Sequence, residues 1–128
     1  MDAQRLTGGA WEDRDPAFSP DGSRLAFASN RYGGWNLFLL DLATGDVRQV
    51  TSGPDFKANP AWSPDGVWLV YEAYTERNFD IYILNPSDEG AEKIRLTTDP
   101  AQDFAPTWSP DGRKVAWVSN RSGSPDIW

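Results

Sequence analysis

The stretch PAFSPDGSRLAFASNR at residues 16–31 decides the fold, because close copies of it recur twice further along the chain. Its SPDG element begins at Ser19, Ser63 and Ser109, so successive copies lie 44 and 46 residues apart. Four other short motifs recur at the same spacing. Their three copies are PAF, PAW and PTW; LAF, LVY and VAW; NLF, DIY and DIW; and RLT, QVT and RLT. Self-similarity at such a period indicates a repeat architecture, in which each copy is one supersecondary unit.

Each copy predicts four short β-strands. The first strand ends in an aromatic residue and runs into SPDG, where Pro presets φ, Asp bonds the nearby backbone and Gly accepts an unusual φ. The second strand, LAFAS at residues 25–29, is apolar on both faces. A loop rich in Asn, Arg and Gly leads to the third strand, and a turn such as ATGD leads to the fourth. No segment shows helical periodicity with caps.

Four-stranded units of this length, apolar on both faces, are typical of β-propeller blades, because each blade is sandwiched by its neighbours. The sequence therefore predicts an all-β fold of three blades, a half-propeller, as one domain over residues 1–128. The repeats are expected at about 8–51, 52–97 and 98–128, with residues 1–7 as a closing strand. The alternative is a β-sandwich built from unrelated hairpins.

The repeat also resembles a known family. The pattern P-x-[FW]-S-P-D-G-x-x-[LV]-[AV]-[FYW], followed by SNR and D-I-[YW], is similar to the TolB-type, WD40-like (PD40) propeller repeat. The resemblance covers essentially the whole chain, although the middle copy has EAYTERN in place of SNR. It implies a six-bladed propeller and a periplasmic location, and it extends to the propellers that precede prolyl-oligopeptidase-type hydrolases. No apolar signal-peptide segment follows Met1, so the sequence itself leaves the location open.

The two ends of the chain suggest how a ring could close. RLT at residues 5–7 matches a fourth strand, whereas the third copy stops within its third strand at Trp128. Strand 2–7 of one chain could therefore pair beside 126–128 of another, so that a homodimer completes six blades about a two-fold axis. A half-ring alone is expected to expose two apolar blade faces and open strand edges. The alternative is a fragment of a longer propeller.

Composition excludes several function classes. Cys and His are both absent, so Ser-His-Asp and Cys-His nucleophile systems and His-based zinc sites are impossible within this chain. The net charge of −7, without any Lys/Arg run, argues against nucleic-acid binding. No apolar stretch is long enough for membrane insertion. The SPDG aspartates lie on different units, so they predict structural turns, and neither a metal site nor a cofactor is expected.

Candidate binding residues lie on the loops opposite the SPDG turns, a surface that we term the top face. They are Trp11, Asp13, Arg14, Asp15, Arg31, Tyr32, Phe56, Lys57, Arg77, Asp103, Phe104 and Arg121. Exposed aromatic residues beside Arg and Asp are typical of a protein- or peptide-binding site. The alternative is that Trp11, Phe56 and Phe104 plug the gaps between blades. A cation near Asp13, Lys57 and Asp103 is conceivable, but no calcium-loop spacing supports it.

Glu72 stands out because its equivalents, Ala28 and Val118, are apolar. A carboxylate on such a strand needs a partner, which we expect to be an arginine. The functional hypothesis is a non-enzymatic, TolB-like module that acts as a protein- or peptide-binding or assembly scaffold. The alternative is a fragment of the propeller of a prolyl-oligopeptidase-type hydrolase or of a propeller lyase. No nucleophile elbow, G-x-S-x-G, is present to support hydrolysis.

Overall fold

The computed structural model describes residues 2–90 and 92–128, which form eleven β-strands and no helix. In chain order these are β1 Asp13–Phe18, β2 Arg24–Ser29, β3 Asn36–Asp41, β4 Val47–Gln49, β5 Phe56–Trp62, β6 Leu69–Thr75, β7 Asn78–Leu84, β8 Ile94–Arg95, β9 Asp103–Trp108, β10 Val115–Ser119 and β11 Asp126–Ile127. Within these described ranges, no helix is present that could cross a membrane.

The strands form three antiparallel sheets, and within each sheet the strands that pair are consecutive in the chain. Blade 1 is β1 to β4, blade 2 is β5 to β8, and blade 3 is β9 to β11. The first strands of successive blades contact one another, so β1, β5 and β9 are the inner strands of a partial ring. The predicted all-β half-propeller is confirmed.

The three SPDG segments form the same tight turn. Gly22, Gly66 and Gly112 have φ of 74°, 74° and 73°, and each donates its N–H to the preceding Ser carbonyl at 2.9 Å. The Asp carboxylate of each turn accepts the Ser hydroxyl and the N–H two residues further on. The N–H of Ser23 and the hydroxyls of Ser19 and Ser23 lower the pKa of Asp21 to about 2. The prediction of structural turns is confirmed.

Both faces of the second strand are packed, as the pattern of alternating apolar residues predicts. Ala26 and Ala28 belong to a core shared by blades 1 and 2, which includes Leu37 of β3 and Leu69 and Tyr71 of β6. Since side chains alternate along a strand, the remaining apolar residues of β2 point away from blade 2.

The opposite flank of blade 1 carries a second core of Leu25, Phe27, Phe38 and Leu40. These side chains are only 1–6% exposed, so the expectation of a bare apolar face is wrong for blade 1. Residues 4–7 lie over this flank and line, with Leu25 and Phe27, a cavity of about 300 Å³. The Arg31 guanidinium lies 5.3 and 4.8 Å from the ring centres of Phe27 and Phe38.

Indole hydrogen bonds connect the inner strands of neighbouring blades. Trp62 Nε1 donates to the carbonyl of Ala17 at 3.0 Å, and Trp108 Nε1 donates to that of Ala61 at 3.2 Å. Phe18 has the equivalent position in blade 1 and is 63% exposed. Trp62 and Trp108, the aromatic residues before the second and third SPDG turns, therefore join blades 2 and 3 to the preceding blade.

Residues 2–7 form no strand in the single chain, because no neighbouring strand lies alongside them. The predicted closing strand was assigned to residues 1–7, and Met1 lies outside the described residues. Its pairing with another copy stays a prediction.

The turn geometry predicts the effect of replacing Gly66 by valine. A β-branched residue with φ near 74° is strained, so Gly66→Val is expected to lower the free energy of unfolding by about 1–2 kcal/mol. Urea unfolding followed by tryptophan fluorescence measures the change. Gly90→Val is the control, because Gly90 is exposed and is not in the left-handed region. Equal losses in the two variants would contradict the structural account of the turn.

Candidate functional site

The two predicted sets of top-face loops lie side by side. Asn36 Nδ2 donates to the carbonyl of Gly53 at 3.0 Å, which ties the β3 end of one loop to the loop that enters blade 2. Asn78 Nδ2 donates to the carbonyls of Asp99 and Ala101, at 3.2 and 3.0 Å, between blades 2 and 3. The top face is therefore one connected surface opposite the SPDG turns.

Four of the charged candidates pair within their own blades. Arg31 Nη2 lies 3.0 Å from the Asp13 carboxylate, and Arg121 Nη2 lies 3.0 Å from that of Asp103. The Nε of each arginine also donates to the serine of its SNR motif, at 3.0 and 2.9 Å. Asp103 is fully buried, so this SNR arginine neutralises a carboxylate inside its blade.

Hydrogen bonds also govern the ionisation of Asp13. Burial raises its pKa, but hydrogen bonds from Ser29, Thr7 and Arg31 outweigh that effect and leave the pKa below the ordinary value. The asparagine of each SNR motif accepts an N–H from the loop before the inner strand, at 2.9 Å in both blades. The whole SNR motif thus has a structural role.

Lys57 takes the position of these aspartates in blade 2, where EAYTERN stands in place of SNR. Its side chain is 1% exposed, and its Nζ donates to the carbonyl of Ser52 at 2.9 Å. Among the described residues it forms no ion pair with a carboxylate. Burial lowers its pKa. The three equivalent positions therefore hold two aspartates that are paired with arginines and one lysine. Among the described residues, no group of three acidic side chains lies close enough together to hold a metal ion.

Two other carboxylates accept hydrogen bonds from the backbone of the following blade. Each inner strand carries a bulge whose residue before proline has a positive φ: 55° at Asp15, 51° at Asn59 and 50° at Ala105. Asp15 accepts the N–H of Asn59 at 3.3 Å. Glu72 accepts the N–H of Ala105 at 2.7 Å. The expectation of an arginine partner for Glu72 is wrong, because its partner is the backbone of the next blade.

The remaining candidates differ in exposure. Trp11, Arg14, Tyr32 and Arg77 are exposed, whereas Phe56 and Phe104 are half-buried. The Arg31 guanidinium lies 4.9 Å from the ring centre of Trp11, so this tryptophan rests on the Arg31–Asp13 pair.

Arg14 is the centre of a cluster that the sequence reveals only in part. Its guanidinium lies 3.6 Å from the ring centre of Trp35 and 5.4 Å from that of Phe56. Phe56 packs edge-on against Phe79 at 5.9 Å, and Tyr74 lies 4.9 Å from Phe79. We term these five residues the arginine–aromatic cluster. Trp35, Tyr74 and Phe79 were not among the predicted residues. Strand pairing within blade 2 places Phe56, Tyr74 and Phe79 side by side, and the packing of blade 1 on blade 2 adds Arg14 and Trp35.

Arg77 lies at the tip of the hairpin between β6 and β7. The tip residues Glu76 and Arg77 have φ of 51° and 68°, a pair of left-handed conformations for which Asn-Gly is the preferred sequence. Such backbone strain is concentrated at functional sites. The strained tip presents two charged side chains immediately before β7, the strand that carries Phe79 of the arginine–aromatic cluster.

Comparison with known proteins identifies a family match over most of the chain. A family model described as the TolB beta propeller domain (PD40) matches residues 14–128. A protein TolB homolog of Chlorobium chlorochromatii is 37% identical over 106 residues, which is 83% of this chain and 23% of the relative. The Tol-Pal system protein TolB of Bordetella pertussis is 40% identical over 113 residues, or 88% of this chain and 26% of that protein.

Solved structures show the same architecture. The crystal structure of TolB from Acinetobacter baumannii superposes with a TM-score of 0.87 at 30% identity, over 95% of this chain and 30% of that one. An oligogalacturonate lyase in complex with manganese gives a TM-score of 0.73 at 24% identity, over 90% of this chain and 32% of the lyase, and shows a shared fold only. The chain spans about a quarter of the length of the curated relatives it matches.

Lys57 predicts a pH dependence of stability. Its pKa is lowered in the folded state, so the unfolded chain binds more protons between that pKa and the ordinary value of 10.5. Stability is therefore expected to rise with pH through this window. Urea midpoints at pH 7 and pH 9.5 should show a smaller rise for Lys57→Met than for the unmodified chain.

The control for this measurement is Lys114→Met, which removes the charge of an exposed lysine that does not contribute to the lowered pKa of Lys57. It should retain the full rise in the urea midpoint. A rise that is unchanged in Lys57→Met would show that the buried ammonium does not contribute to the pH dependence.

Proposed function

Because this chain belongs to the TolB β-propeller domain family, we propose that it is a non-enzymatic binding module that takes a protein or peptide partner on its top face. The observation that carries the proposal is the arginine–aromatic cluster. Arg14 is exposed on the inner strand β1 and stacks on the ring of Trp35. Arginine and large aromatic residues dominate the binding energy of protein interfaces.

The surroundings of the cluster support this assignment. Tyr32 is 75% exposed and Trp11 is 39% exposed, so the top face presents further aromatic surface around the Arg31–Asp13 pair. Among the top-face candidates, Arg31 and Arg121 are held by carboxylates, whereas Arg14 and Arg77 are exposed and form no ion pair in the described structure. A rigid β scaffold presents these side chains with little loss of conformational entropy on binding.

The partner that we propose is a protein of the Tol-Pal system. The relatives of Bordetella pertussis and Desulfotalea psychrophila are Tol-Pal system proteins, and we extend that role to this chain. The net charge of −7 favours the approach of a partner with a positively charged surface.

The enzymatic alternative rests on weaker likenesses. The tricorn protease superposes with a TM-score of 0.69 at 19% identity, which shows the fold alone. Glu72 is the carboxylate that could most readily suggest acid–base chemistry, but it is bound to the N–H of Ala105. The candidate carboxylates, Asp13, Asp15, Glu72 and Asp103, thus all have structural partners.

We also propose that the binding form is a ring of six blades made by two copies of the chain. Repeats at about 8–51, 52–97 and 98–128 would supply three blades from each copy, with residues 1–7 as the closing strand. Such a ring would place the arginine–aromatic cluster twice around one channel, on the same face.

The top-face proposal predicts that Arg14→Ala weakens partner binding. Isothermal titration with the purified proteins of the Tol-Pal system from the source organism should show a Kd at least tenfold weaker, or about 1.4 kcal/mol. Arg113→Ala is the matched control, because Arg113 is an exposed arginine on an SPDG turn of the opposite face. Equal affinities for Arg14→Ala and the unmodified chain would overturn the assignment.

The non-enzymatic proposal predicts no turnover by the purified chain. Peptide, ester and oligogalacturonate substrates should remain intact over hours at neutral pH, because the candidate carboxylates are already engaged in hydrogen bonds. Mass spectrometry of the substrates measures this directly. Activity that co-purifies with the chain and disappears in Glu72→Gln would show that the chain is an enzyme.

A further inference from the structure

Two grooves lie on the face that carries the SPDG turns, one at each junction between blades. The groove between blades 1 and 2 has a volume of about 370 Å³ and is lined by the first two SPDG turns and by Arg24. The groove between blades 2 and 3 has a volume of about 460 Å³ and is lined by the second and third turns and by Trp68, Ile83 and Trp108. Arg24 and Trp68 have the same position relative to the serine of their own SPDG motif, to which each donates its N–H, so the two grooves are equivalent sites of the repeat.

Arg24 occupies the first groove. Its guanidinium lies 4.7 Å from the ring centre of Trp62, and its Nη2 donates to the carbonyl of Gly66 at 3.4 Å. With this guanidinium over its ring, Trp62 is only 8% exposed. A guanidinium is planar and is attracted to the face of an indole, so it fits such a groove in both shape and charge. The chain itself therefore shows which side chain a groove of this kind accommodates.

The second groove has an indole where the first has a guanidinium. Trp68 replaces Arg24, and Trp108, the equivalent of Trp62, is half-buried. Within residues 2–90 and 92–128, no arginine or lysine lies over the ring of Trp108. The Nε1 of Trp108 donates to the carbonyl of Ala61, which fixes the ring at the side of the groove. The residues that line the groove between blades 2 and 3 thus include two indoles and, among those described, no cation.

Two carboxylates border the second groove. Asp65 and Asp111 use Oδ1 to hold their own turns, and among the described residues the Oδ2 of neither accepts a hydrogen bond. Neither carboxylate forms an ion pair in that part of the chain. The hydroxyls of Ser63 and Ser109, together with backbone N–H groups of the turns, hold the pKa of both carboxyls below the ordinary value, so both are negative at neutral pH. The groove therefore attracts a cation.

From the equivalence of the two grooves we propose that the groove between blades 2 and 3 binds an arginine side chain of a protein partner. The guanidinium would lie against the indoles of Trp68 and Trp108, in the position that Arg24 has over Trp62. Its N–H groups would donate to the carbonyl of Gly112, which corresponds to the acceptor in the first groove, and to the two carboxylates at the border.

The chemistry of the groove favours arginine over lysine and a protein over a free ligand. Lysine carries a compact, strongly hydrated charge and has no plane that could stack on the indoles. Val67 is 40% exposed beside Trp68, so the residues that flank a partner's arginine would find an apolar contact there. The net charge of −7 also favours the approach of a basic partner surface. The groove lies on the face opposite the arginine–aromatic cluster, so the inference does not depend on the proposed top-face function.

The first test uses short peptides as probes of the full chain. Acetyl-Gly-Arg-Gly amide is titrated into the isotope-labelled protein, and the indole N–H signals of Trp68 and Trp108 are followed by NMR. Both signals are expected to shift and to saturate in the millimolar range. The peptide with lysine in place of arginine should bind about fivefold more weakly. The citrulline peptide keeps the plane but lacks the charge, so it should not shift either signal.

A matched pair of substitutions tests the equivalence of the grooves. Trp68→Arg places a guanidinium of the chain in the second groove, so the affinity for the arginine peptide is expected to fall at least tenfold. Arg24→Trp removes the guanidinium from the first groove, so the indole signal of Trp62 should then respond to the peptide. Asp111→Asn keeps an acceptor oxygen for the turn but removes a charge, and it should weaken binding about threefold. Unchanged positions of the other indole signals show that each variant is folded.

Three outcomes would overturn the inference. They are the absence of a saturable shift of Trp68 and Trp108 with the arginine peptide, equal affinities for the arginine and citrulline peptides, and an unchanged affinity in Trp68→Arg. Arg14→Ala is the control variant and should bind the arginine peptide as the unmodified chain does, since Arg14 lies on the top face. Failure of top-face binding with an intact peptide result would therefore reject the proposed function and leave the arginine site in place.

Discussion

The structure depends on one constraint: the second strand of a blade is apolar on both faces, so both faces need a cover. Strand β2 shows its effect, because Ala26 and Ala28 pack toward blade 2 while Leu25 and Phe27 form a separate core on the other flank. A strand of this kind has no face left for polar residues, which explains why polar side chains are concentrated at turns and loops. It also means that a terminal blade needs a cover, which residues 4–7 provide for blade 1.

Several polar groups that enter the blade junctions have a defined partner in the adjoining blade, although the buried hydroxyl of Tyr71 has none among the described residues. The carboxylates of Asp15 and Glu72 accept N–H groups from the strained bulge of the following blade, and the indole of Trp62 donates back to the preceding one. Leaving a buried N–H without an acceptor costs about 1–3 kcal/mol. These bonds therefore explain how a non-glycine residue such as Ala105 is held at positive φ beside the channel.

The middle blade differs from its neighbours in ways that are linked. EAYTERN stands in place of SNR, so the arginine that pairs with an aspartate in blades 1 and 3 is lost, and Lys57 replaces that aspartate. The same change shortens the loop to a strained hairpin at Glu76 and Arg77 and leaves Tyr74 next to Phe79. The altered blade is thus the one that contributes most of the arginine–aromatic cluster, which is consistent with a specialised binding surface there.

Local pattern was enough to predict the blades, the SPDG turns and the two apolar faces of β2, because each depends on residues within about ten positions of one another. The SNR arginines were correctly placed on the top-face loops, but their partners, Asp13 and Asp103, lie 18 residues away in the blade's first strand. Glu72 and Ala105 lie 33 residues apart, and Arg14 and Phe56 belong to different repeats. No sequence pattern marks such pairs. The arginine–aspartate pairs form when the strands of one blade pair, and the others form when one blade packs on the next; the tertiary structure adds both.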